Sequence, residues 1–221
     1  SGSNLIIGVD LGGTRFRVAA VAADGRLLRR ISELTRVHEG RDAVLRRIYA
    51  AIRRVIAAVA PQQPPAIGVA APGPLNPWTG VIHNPPNMPG WDEVPLKEIM
   101  ENELALPVLV GNDANVAALG EHRFGAGRGL TDIVYITVST GIGGGIISAN
   151  QLLLGGQGLA GEIGHQTIMA DGPLCGCGNY GCLEALSSGT AIARRMVQLI
   201  EEGAESVVLE MAGGDPAKIN G

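Results

Sequence analysis

The chain has 221 residues, a formal net charge of −4 and 46% hydrophobic residues, a composition typical of a globular protein with a sizeable core. The mild acidity argues against a nucleic-acid surface, which needs clustered lysines and arginines, and 3% aromatic residues argue against stacking on single strands. No apolar run approaches the length of about 20 residues that a membrane helix needs. Three cysteines without a signal peptide predict a reduced, cytoplasmic setting.

The first 60 residues predict three strands followed by a helix. An apolar run at 5–10 leads through a glycine-rich turn into a strand at 15–23, and Asp24-Gly25 turns the chain into a strand at 26–33. Residues 41–60 have apolar side chains at helical spacing and predict an amphipathic helix that ends before Pro61.

The next segment predicts alternating strands and helices. A buried strand at 66–71 is followed by a proline-rich loop to about residue 95, a helix at 96–104, a strand at 107–110 and a helix at 113–124. Asn112 and Asp113 therefore lie at the carboxyl end of a strand, which is where ligands bind in open α/β sheets.

The second half repeats the opening pattern of the first. A strand at 132–139, a glycine turn at 140–145, a return strand at 146–149 and a reversal at 150–151 resemble residues 6–28 in order and length. A helix follows at about 190–202. The repeat predicts two α/β domains, 1–112 and 113–221.

Both glycine turns have the chemistry of anion sites. Neither is a Walker loop or a Rossmann fingerprint, because no Gly-Lys-Ser/Thr follows and each turn leads into a strand. Consecutive backbone N–H groups form a concavity for phosphate, and Thr14 or Thr140 adds a hydroxyl. The Asp10 carboxylate would repel phosphate unless Mg²⁺ intervened, so it predicts a water-mediated metal contact to a nucleotide.

Asp113 has two interpretations. A carboxylate near the attacking oxygen accepts the hydroxyl proton in phosphoryl transfer to an alcohol. An aspartate at the start of a helix is also a favoured cap. The residues alone leave both open.

All three cysteines lie between Glu162 and Glu184. Together with His165, Cys175, Cys177 and Cys182 form a Cys₃His set, which fills the tetrahedron of a structural zinc site and leaves no position for water. One disulfide and a free thiol is the alternative, but an odd count clustered within eight positions is a poor disulfide framework. The segment therefore predicts Zn²⁺, whose binding contributes to folding.

Five motifs together resemble the ROK family of sugar kinases and repressors. They are Gly8-Val-Asp-Leu-Gly-Gly-Thr14, Asn112-Asp-Ala-Asn-Val-Ala-Ala118, Ser139-Thr-Gly-Ile-Gly-Gly-Gly145, Ala160-Gly-Glu-Ile-Gly-His165 and Cys175-Gly-Cys-Gly-Asn-Tyr-Gly-Cys-Leu-Glu184. The resemblance implies an α/β, two-lobed actin/hexokinase-like (ribonuclease H-like) fold with duplicated mixed-sheet domains and a zinc-binding insertion.

The same resemblance implies the roles of the sugar-binding residues. Asp113 would be the general base for the 6-hydroxyl of a hexose, and Asn112 would hold neighbouring hydroxyls. Glu162, His165 and Glu184 would bind the hydroxyls nearer the anomeric end, with one ring nitrogen of His165 on zinc and the other on the sugar. Gly73 and Asn87 would border the same pocket.

For the nucleotide, the resemblance implies that ATP phosphates bind the two turns, with Mg²⁺ near Asp10. The phosphate-binding residues would be Gly12, Gly13, Thr14, Thr140 and Gly141. Kinases of the family run beyond 221 residues, so the C-terminal part is expected to be truncated and the nucleoside pocket incomplete. The family also implies a homo-oligomer, either a dimer or a tetramer.

Three functions fit these motifs. The leading prediction is an ATP-dependent kinase that converts glucose to glucose 6-phosphate. A sugar-sensing domain of a ROK-type transcriptional repressor is the alternative from another class. An N-acetylglucosamine or N-acetylmannosamine kinase is the alternative within the enzyme class.

Overall fold

Strands and helices alternate along the computed structural model, which describes residues 5–60 and 64–220. The strands are β1 Leu5–Leu11, β2 Arg15–Ala22, β3 Leu27–Leu34, β4 Ile67–Ala71, β5 Leu75–Asn76, β6 Val81–Ile82, β7 Val94–Pro95, β8 Val108–Asn112, β9 Ile133–Val138, β10 Ile142–Ser148 and β11 Gln151–Leu152. The α-helices are α1 Arg41–Ala58, α2 Leu96–Leu104, α3 Asp113–Phe124, α4 Leu183–Ser187, α5 Gly189–Glu201 and α6 Val207–Met211. Pro61, the predicted stop of the first helix, lies outside the described residues, as do residues 1–4 and 221 of the predicted domains.

The chain divides into two compact units, which differ in extent from the two predicted domains. One unit contains the described residues up to Gly129 together with Gly156–Gly158, and the other contains Leu130–Gly155 and the described residues from Leu159 onward. The predicted division after residue 112 would separate α3 from β8, whereas α3 packs against β8 and β4 and buries Ala114 and Ala118. The first unit therefore keeps α3.

The first unit is built on a five-stranded mixed sheet in the order β3-β2-β1-β4-β8. β1 pairs antiparallel with β2 and parallel with β4, and β4 pairs parallel with β8. The register places Asp10 opposite Ala70, and Ala71 opposite Asn112. The polar residues Asp10 and Asn112 therefore lie towards the carboxyl ends of β1 and β8, on either side of β4.

Side-chain periodicity explains how this sheet and its helix pack. β1 buries every second residue, as a strand with one face on a core does. α1 packs against β2 and β3 and buries Ile48, Ile52 and Val55 at helical spacing. Each such side chain contributes about 1.5–3 kcal/mol of hydrophobic free energy relative to an exposed one.

The proline-rich segment differs from its prediction as a loop. It contains a small antiparallel sheet in the order β5-β6-β7, and it buries Met88 and Trp91 completely. Strands of two residues are too short to show an alternating pattern in the sequence, so periodicity cannot detect them.

The second unit contains a three-stranded antiparallel sheet in the order β11-β10-β9. This order repeats β3-β2-β1 of the first unit, so the internal repeat predicted from the glycine turns is present in the topology. α4 packs against α5, β10 and the 3₁₀ turn Ile163–His165. None of the helices in the described parts of the chain is long and apolar enough to span a bilayer.

The prediction of a glycine turn over residues 140–145 is wrong in extent. Residues Ile142–Ser148 form one strand, so the reversal is confined to residues 139–141. The glycines in the strand serve close packing: a Cβ on Gly144 would lie 2.5 Å from Cδ1 of Ile163 and 2.9 Å from the carbonyl oxygen of Gly161. Glycine here makes room for a neighbouring segment instead of reversing the chain.

Candidate functional site

Asn112 occupies the junction between β8 and α3 as the helix N-cap. Its side-chain Oδ1 accepts hydrogen bonds from the backbone N–H groups of Ala114 at 3.0 Å and Asn115 at 3.2 Å. The amide nitrogen of the same side chain lies against Gly73, where a Cβ would come within 3.0 Å of Nδ2. Two residues predicted to border the sugar are therefore neighbours in the first unit.

Asp113 is the first residue of α3 and leaves the capping position to Asn112. Its Oδ1 accepts a hydrogen bond of 2.8 Å from the N–H of Ala114. Desolvation raises the pKa of this carboxyl group above its ordinary value, and the negative charge of Asp10 adds to the rise, whereas the Ala114 hydrogen bond opposes it. A carboxylate of raised basicity at the edge of a sheet suits proton acceptance.

Asp10 forms an ion pair that the sequence interpretation did not include. Arg17 Nη1 donates to Asp10 Oδ2 at 2.6 Å, and both side chains are about half exposed. The two residues face each other across the hairpin in the β1–β2 register. The sequence could have predicted this pair: the two residues lie at equal distances from the turn, which places them opposite each other, and opposite charges facing each other on paired strands attract.

The first glycine turn, Gly12–Thr14, closes with a hydrogen bond from the Gly12 N–H to the carbonyl of Arg15 at 3.1 Å. A Cβ on Gly13 would lie 2.7 Å from the backbone oxygen of Asn87. Asn87, predicted to border the sugar, is thus in contact with the turn predicted to bind phosphate. Only a glycine permits this close approach.

The second glycine turn contacts Glu184 in the second unit. The N–H of Ile142 donates to Glu184 Oε2 at 2.7 Å, and a Cβ on Gly141 would lie 2.4 Å from that oxygen. Glu184 is the second residue of α4, which directly follows the cysteine-rich segment. The structure therefore joins a residue predicted to bind sugar to a turn predicted to bind phosphate.

The cysteine-rich segment brings the four predicted metal ligands together. Cys175 Sγ lies 3.6 Å from His165 Nδ1, Cys177 Sγ lies 3.7 Å from Cys182 Sγ, and all four ligand atoms lie within 4.8 Å of one another. Ligands at zinc distances of about 2.3 Å for sulfur and 2.0 Å for nitrogen are separated by about 3.8 Å and 3.5 Å in a tetrahedron. The donor set and its spacing fit Zn²⁺, and all three cysteines are free thiols.

The surroundings of the sulfur atoms differ from one another. Burial raises the pKa of Cys182 to about 12, and the neighbouring sulfur atoms act in the same direction. A hydrogen bond from the backbone N–H of Asn179 lowers the pKa of Cys177. A buried thiol of this kind ionises when a cation binds beside it, which couples metal binding to proton release.

The His165 ring has different neighbours at its two nitrogens. Nδ1 is the atom near Cys175, whereas Nε2 lies 4.0 Å from Oε2 of Glu162. Both residues belong to the segment at 162–165, which packs against α4 and β10. A metal on Nδ1 leaves Nε2 beside the Glu162 carboxylate, where a hydroxyl group can be bound.

Comparison with known proteins gives one family. The model described as "ROK family" matches residues 6–217. A glucokinase of Thermotoga maritima is 40% identical over 208 residues, which cover 94% of this chain and 65% of that protein. The chain thus spans just under two thirds of that relative's length.

Other relatives carry different names. An N-acetylmannosamine kinase of Escherichia fergusonii is 39% identical, over 85% of this chain and 62% of that protein. A xylose repressor of Caldicellulosiruptor bescii is 35% identical, over 90% of this chain and 50% of that protein. Among solved structures, a ROK family glucokinase from Streptomyces griseus in complex with glucose and AMPPNP is 38% identical. It matches with a TM-score of 0.79 over 97% of this chain and 68% of that chain.

Proposed function

This chain belongs to the ROK family, and we propose that it carries the sugar-binding and phosphoryl-transfer residues of an ATP-dependent hexose kinase acting on glucose. The observation that carries the proposal is Asp113, a carboxylate of raised pKa at the carboxyl end of β8. Its neighbour Asn112 performs the helix capping, so Asp113 is available for chemistry.

In the proposed reaction the 6-oxygen of the hexose attacks the γ-phosphorus of ATP. The bond between that phosphorus and the β–γ bridging oxygen breaks, and ADP leaves with the bond's electron pair. Asp113 accepts the hydroxyl proton as the new oxygen–phosphorus bond forms. The raised pKa strengthens the carboxylate as a base.

Glu162, His165 and Glu184 would bind the remaining sugar hydroxyls. The 4.0 Å approach of Glu162 to His165 Nε2 supports this, because one hydroxyl can donate to the carboxylate and accept from the ring. Zinc held by His165, Cys175, Cys177 and Cys182 would supply a fixed ring orientation and tautomer and no catalytic position.

The two glycine turns would receive the phosphate groups. The phosphate-binding residues would be Gly12, Gly13, Thr14, Thr140 and Gly141. The N–H of Gly12 is used within the turn by the Arg15 carbonyl, so the other four residues would offer the backbone N–H groups, and the two threonines the hydroxyls, that donate to phosphate oxygens. Asp10 would hold Mg²⁺ through water, because Mg²⁺ in nucleotide sites is bound by one or two carboxylates and the phosphates and keeps several waters. The ion would neutralise charge on the phosphates. Arg17 occupies Oδ2 of Asp10, so the other oxygen is the one suited to this contact.

Glucose is the proposed substrate because glucokinases are among the most similar relatives, and one of them was solved in complex with glucose and AMPPNP. The kinase of N-acetylmannosamine and the xylose repressor motivate the two alternatives, a different hexose or a sugar sensor. A cytoplasmic dimer or tetramer belongs to the same proposal, and light scattering of the purified chain measures its stoichiometry.

The test is a substrate panel with the full-length protein and Mg-ATP, in which ADP formation is followed with glucose, N-acetylglucosamine, N-acetylmannosamine, mannose and fructose. We expect the highest kcat/KM with glucose, and a product phosphorylated at the 6-position by NMR. A higher kcat/KM with an N-acetyl hexosamine would replace glucose as the substrate. Glucose binding by calorimetry without turnover on any sugar would favour the sensor instead.

A further inference from the structure

Thr35, a buried residue just after β3, holds both sides of the first glycine turn. Its hydroxyl donates to the carbonyl oxygen of Gly12 at 2.6 Å, and its backbone N–H donates to the carbonyl oxygen of Thr14 at 2.9 Å. The Arg47 guanidinium of α1 in turn donates to the Thr35 carbonyl and pairs with Glu39. The turn is thus fixed from behind by a residue more than 20 positions away in the chain.

Thr190, near the start of α5, holds the second glycine turn in the same manner. Its hydroxyl donates to the carbonyl oxygen of Thr140 at 2.8 Å. The adjoining N–H of Gly189 donates to the carbonyl of Ser139 at 2.8 Å, and the Ser139 N–H donates to the Gly141 carbonyl at 2.9 Å. All three carbonyl groups of this reversal have donors within the second unit.

Several backbone N–H groups of the two turns, unlike most of the carbonyl groups, have no hydrogen-bond partner in the part of the protein that the structure describes. Within the described parts of the chain, the backbone N–H groups of Gly13 and Thr14 in the first turn, and of Thr140 and Gly141 in the second, donate to no protein acceptor. Carbonyl oxygens repel phosphate oxygens, whereas N–H groups bind them. The second turn, whose three carbonyls are all bonded, therefore presents only donors to an anion. In the first turn the carbonyls of Gly12 and Thr14 are bonded, whereas that of Gly13 accepts no hydrogen bond from the described residues.

We propose that Thr35 and Thr190 are positioning residues of the two phosphate-binding turns, which they hold in the donor-outward orientation through their hydroxyl groups. The proposal rests on the proposed function, since it takes the ligand of the turns to be the ATP phosphates. Each hydroxyl acts on one backbone carbonyl, so its loss would let that peptide unit rotate and turn its oxygen towards the phosphate. The cost would fall on nucleotide binding and leave hexose binding unchanged.

The experiment compares Thr35→Val and Thr35→Ser with the parent chain. Valine keeps the volume of the buried side chain and removes the donor, whereas serine keeps the donor. We expect Thr35→Val to raise the KM for ATP about fivefold to tenfold, the effect of one lost hydrogen bond, and to leave the Kd for hexose within twofold. Thr35→Ser should restore the KM to within about twofold of the parent value.

Thr190→Val provides a second comparison. Thr190 is exposed, so this substitution should not impair folding. Its matched control is Thr131→Val, which removes an exposed hydroxyl that donates to Asp132 in the same unit. We expect an increased KM for ATP in the first variant and none in the control. The Kd of Mg-AMPPNP, measured by calorimetry, gives the same comparison without turnover.

The outcomes separate this inference from the proposed function. A parent chain that binds Mg-AMPPNP but phosphorylates no hexose would contradict the kinase, and the Kd values of the variants would still decide the role of the threonines. Variants with lower kcat or thermal stability but unchanged nucleotide KM and Kd would overturn the inference, as would a serine variant as impaired as the valine one. A full-length protein that binds no nucleotide would overturn both.

Discussion

The carboxylate of Glu184 accepts a hydrogen bond of 2.7 Å from the backbone N–H of Ile142. Cys182 lies two positions before Glu184, and Gly141 lies one position before Ile142. One contact therefore links the segment of the predicted zinc site to the turn predicted to bind phosphate. The carboxylate has two oxygens, so the one not bonded to Ile142 is available to a sugar hydroxyl.

Two substitutions of Glu184 should separate its contact with the Ile142 N–H from its proposed contact with a sugar hydroxyl. Glu184→Gln keeps an oxygen for the Ile142 N–H and removes the charge, so we expect the Kd for hexose to rise about tenfold while the KM for ATP stays near the parent value. Glu184→Ala removes both contacts and should raise both constants. Calorimetry gives the Kd, and initial rates give the KM. An alanine variant with an unchanged KM for ATP would show that the Ile142 contact does not support the turn.

Replacement of Asp113 should affect the chemical step. Asp113→Asn keeps an oxygen for the Ala114 N–H but cannot accept a proton, so we expect kcat to fall by a factor of about 10² or more. The Kd for hexose should change little, which calorimetry checks. A kcat within a few-fold of the parent value would remove Asp113 from the role of general base.

The same variant should gain stability at neutral pH. Because the pKa of Asp113 is raised in the folded protein, its charge opposes folding at pH values above that pKa, and the penalty disappears as pH falls to the ordinary value of 3.8 and below. We therefore expect Asp113→Asn to unfold at a higher temperature than the parent chain at pH 7 and at the same temperature near pH 3. Calorimetric scans at both pH values measure the difference. A gain that persists at pH 3 would have another cause.

Loss of the metal should weaken sugar binding. Cys177 is exposed, so Cys177→Ser removes one predicted ligand with little effect on packing. We expect bound zinc, measured by atomic absorption, to fall from about one equivalent to a small fraction, and the Kd for hexose to rise about tenfold or more, as loss of metal-ordering contacts does elsewhere. Asn179→Ser in the same loop changes no ligand and serves as the control. Full zinc occupancy in the serine variant of Cys177 would contradict its assignment.

An alanine at Gly13 should disturb the first turn. Its Cβ would lie 2.7 Å from the Asn87 backbone oxygen, whereas a Cβ on Gly8 in the preceding strand meets no atom within 4 Å. We expect Gly13→Ala to destabilise the fold by about 1–3 kcal/mol, as overpacking does, and to raise the KM for ATP. Gly8→Ala should leave both near the parent values, as judged by urea unfolding and initial rates. Equal behaviour of the two variants would show that the Asn87 contact yields readily.

Local patterns predicted much of the fold. The helix at 113–124 and the strands around the first glycine turn follow from periodicity and turn residues, which act over a few positions. The same patterns failed where a distant segment decides the conformation. Gly144 belongs to a strand because Ile163 packs against it, and the sheet at 75–95 is held by pairs of two-residue strands.

The sequence by itself determined which chemical groups this protein has: the Cys₃His set, two glycine turns and Asp113 after a strand, because each is encoded in residues close along the chain. Only the tertiary structure decided which groups meet. It set Asn87 against Gly13, and it placed Thr35 and Thr190 against the carbonyl groups of the two turns. Contacts between residues 20–75 positions apart depend on how the sheets pack, and no local pattern specifies them.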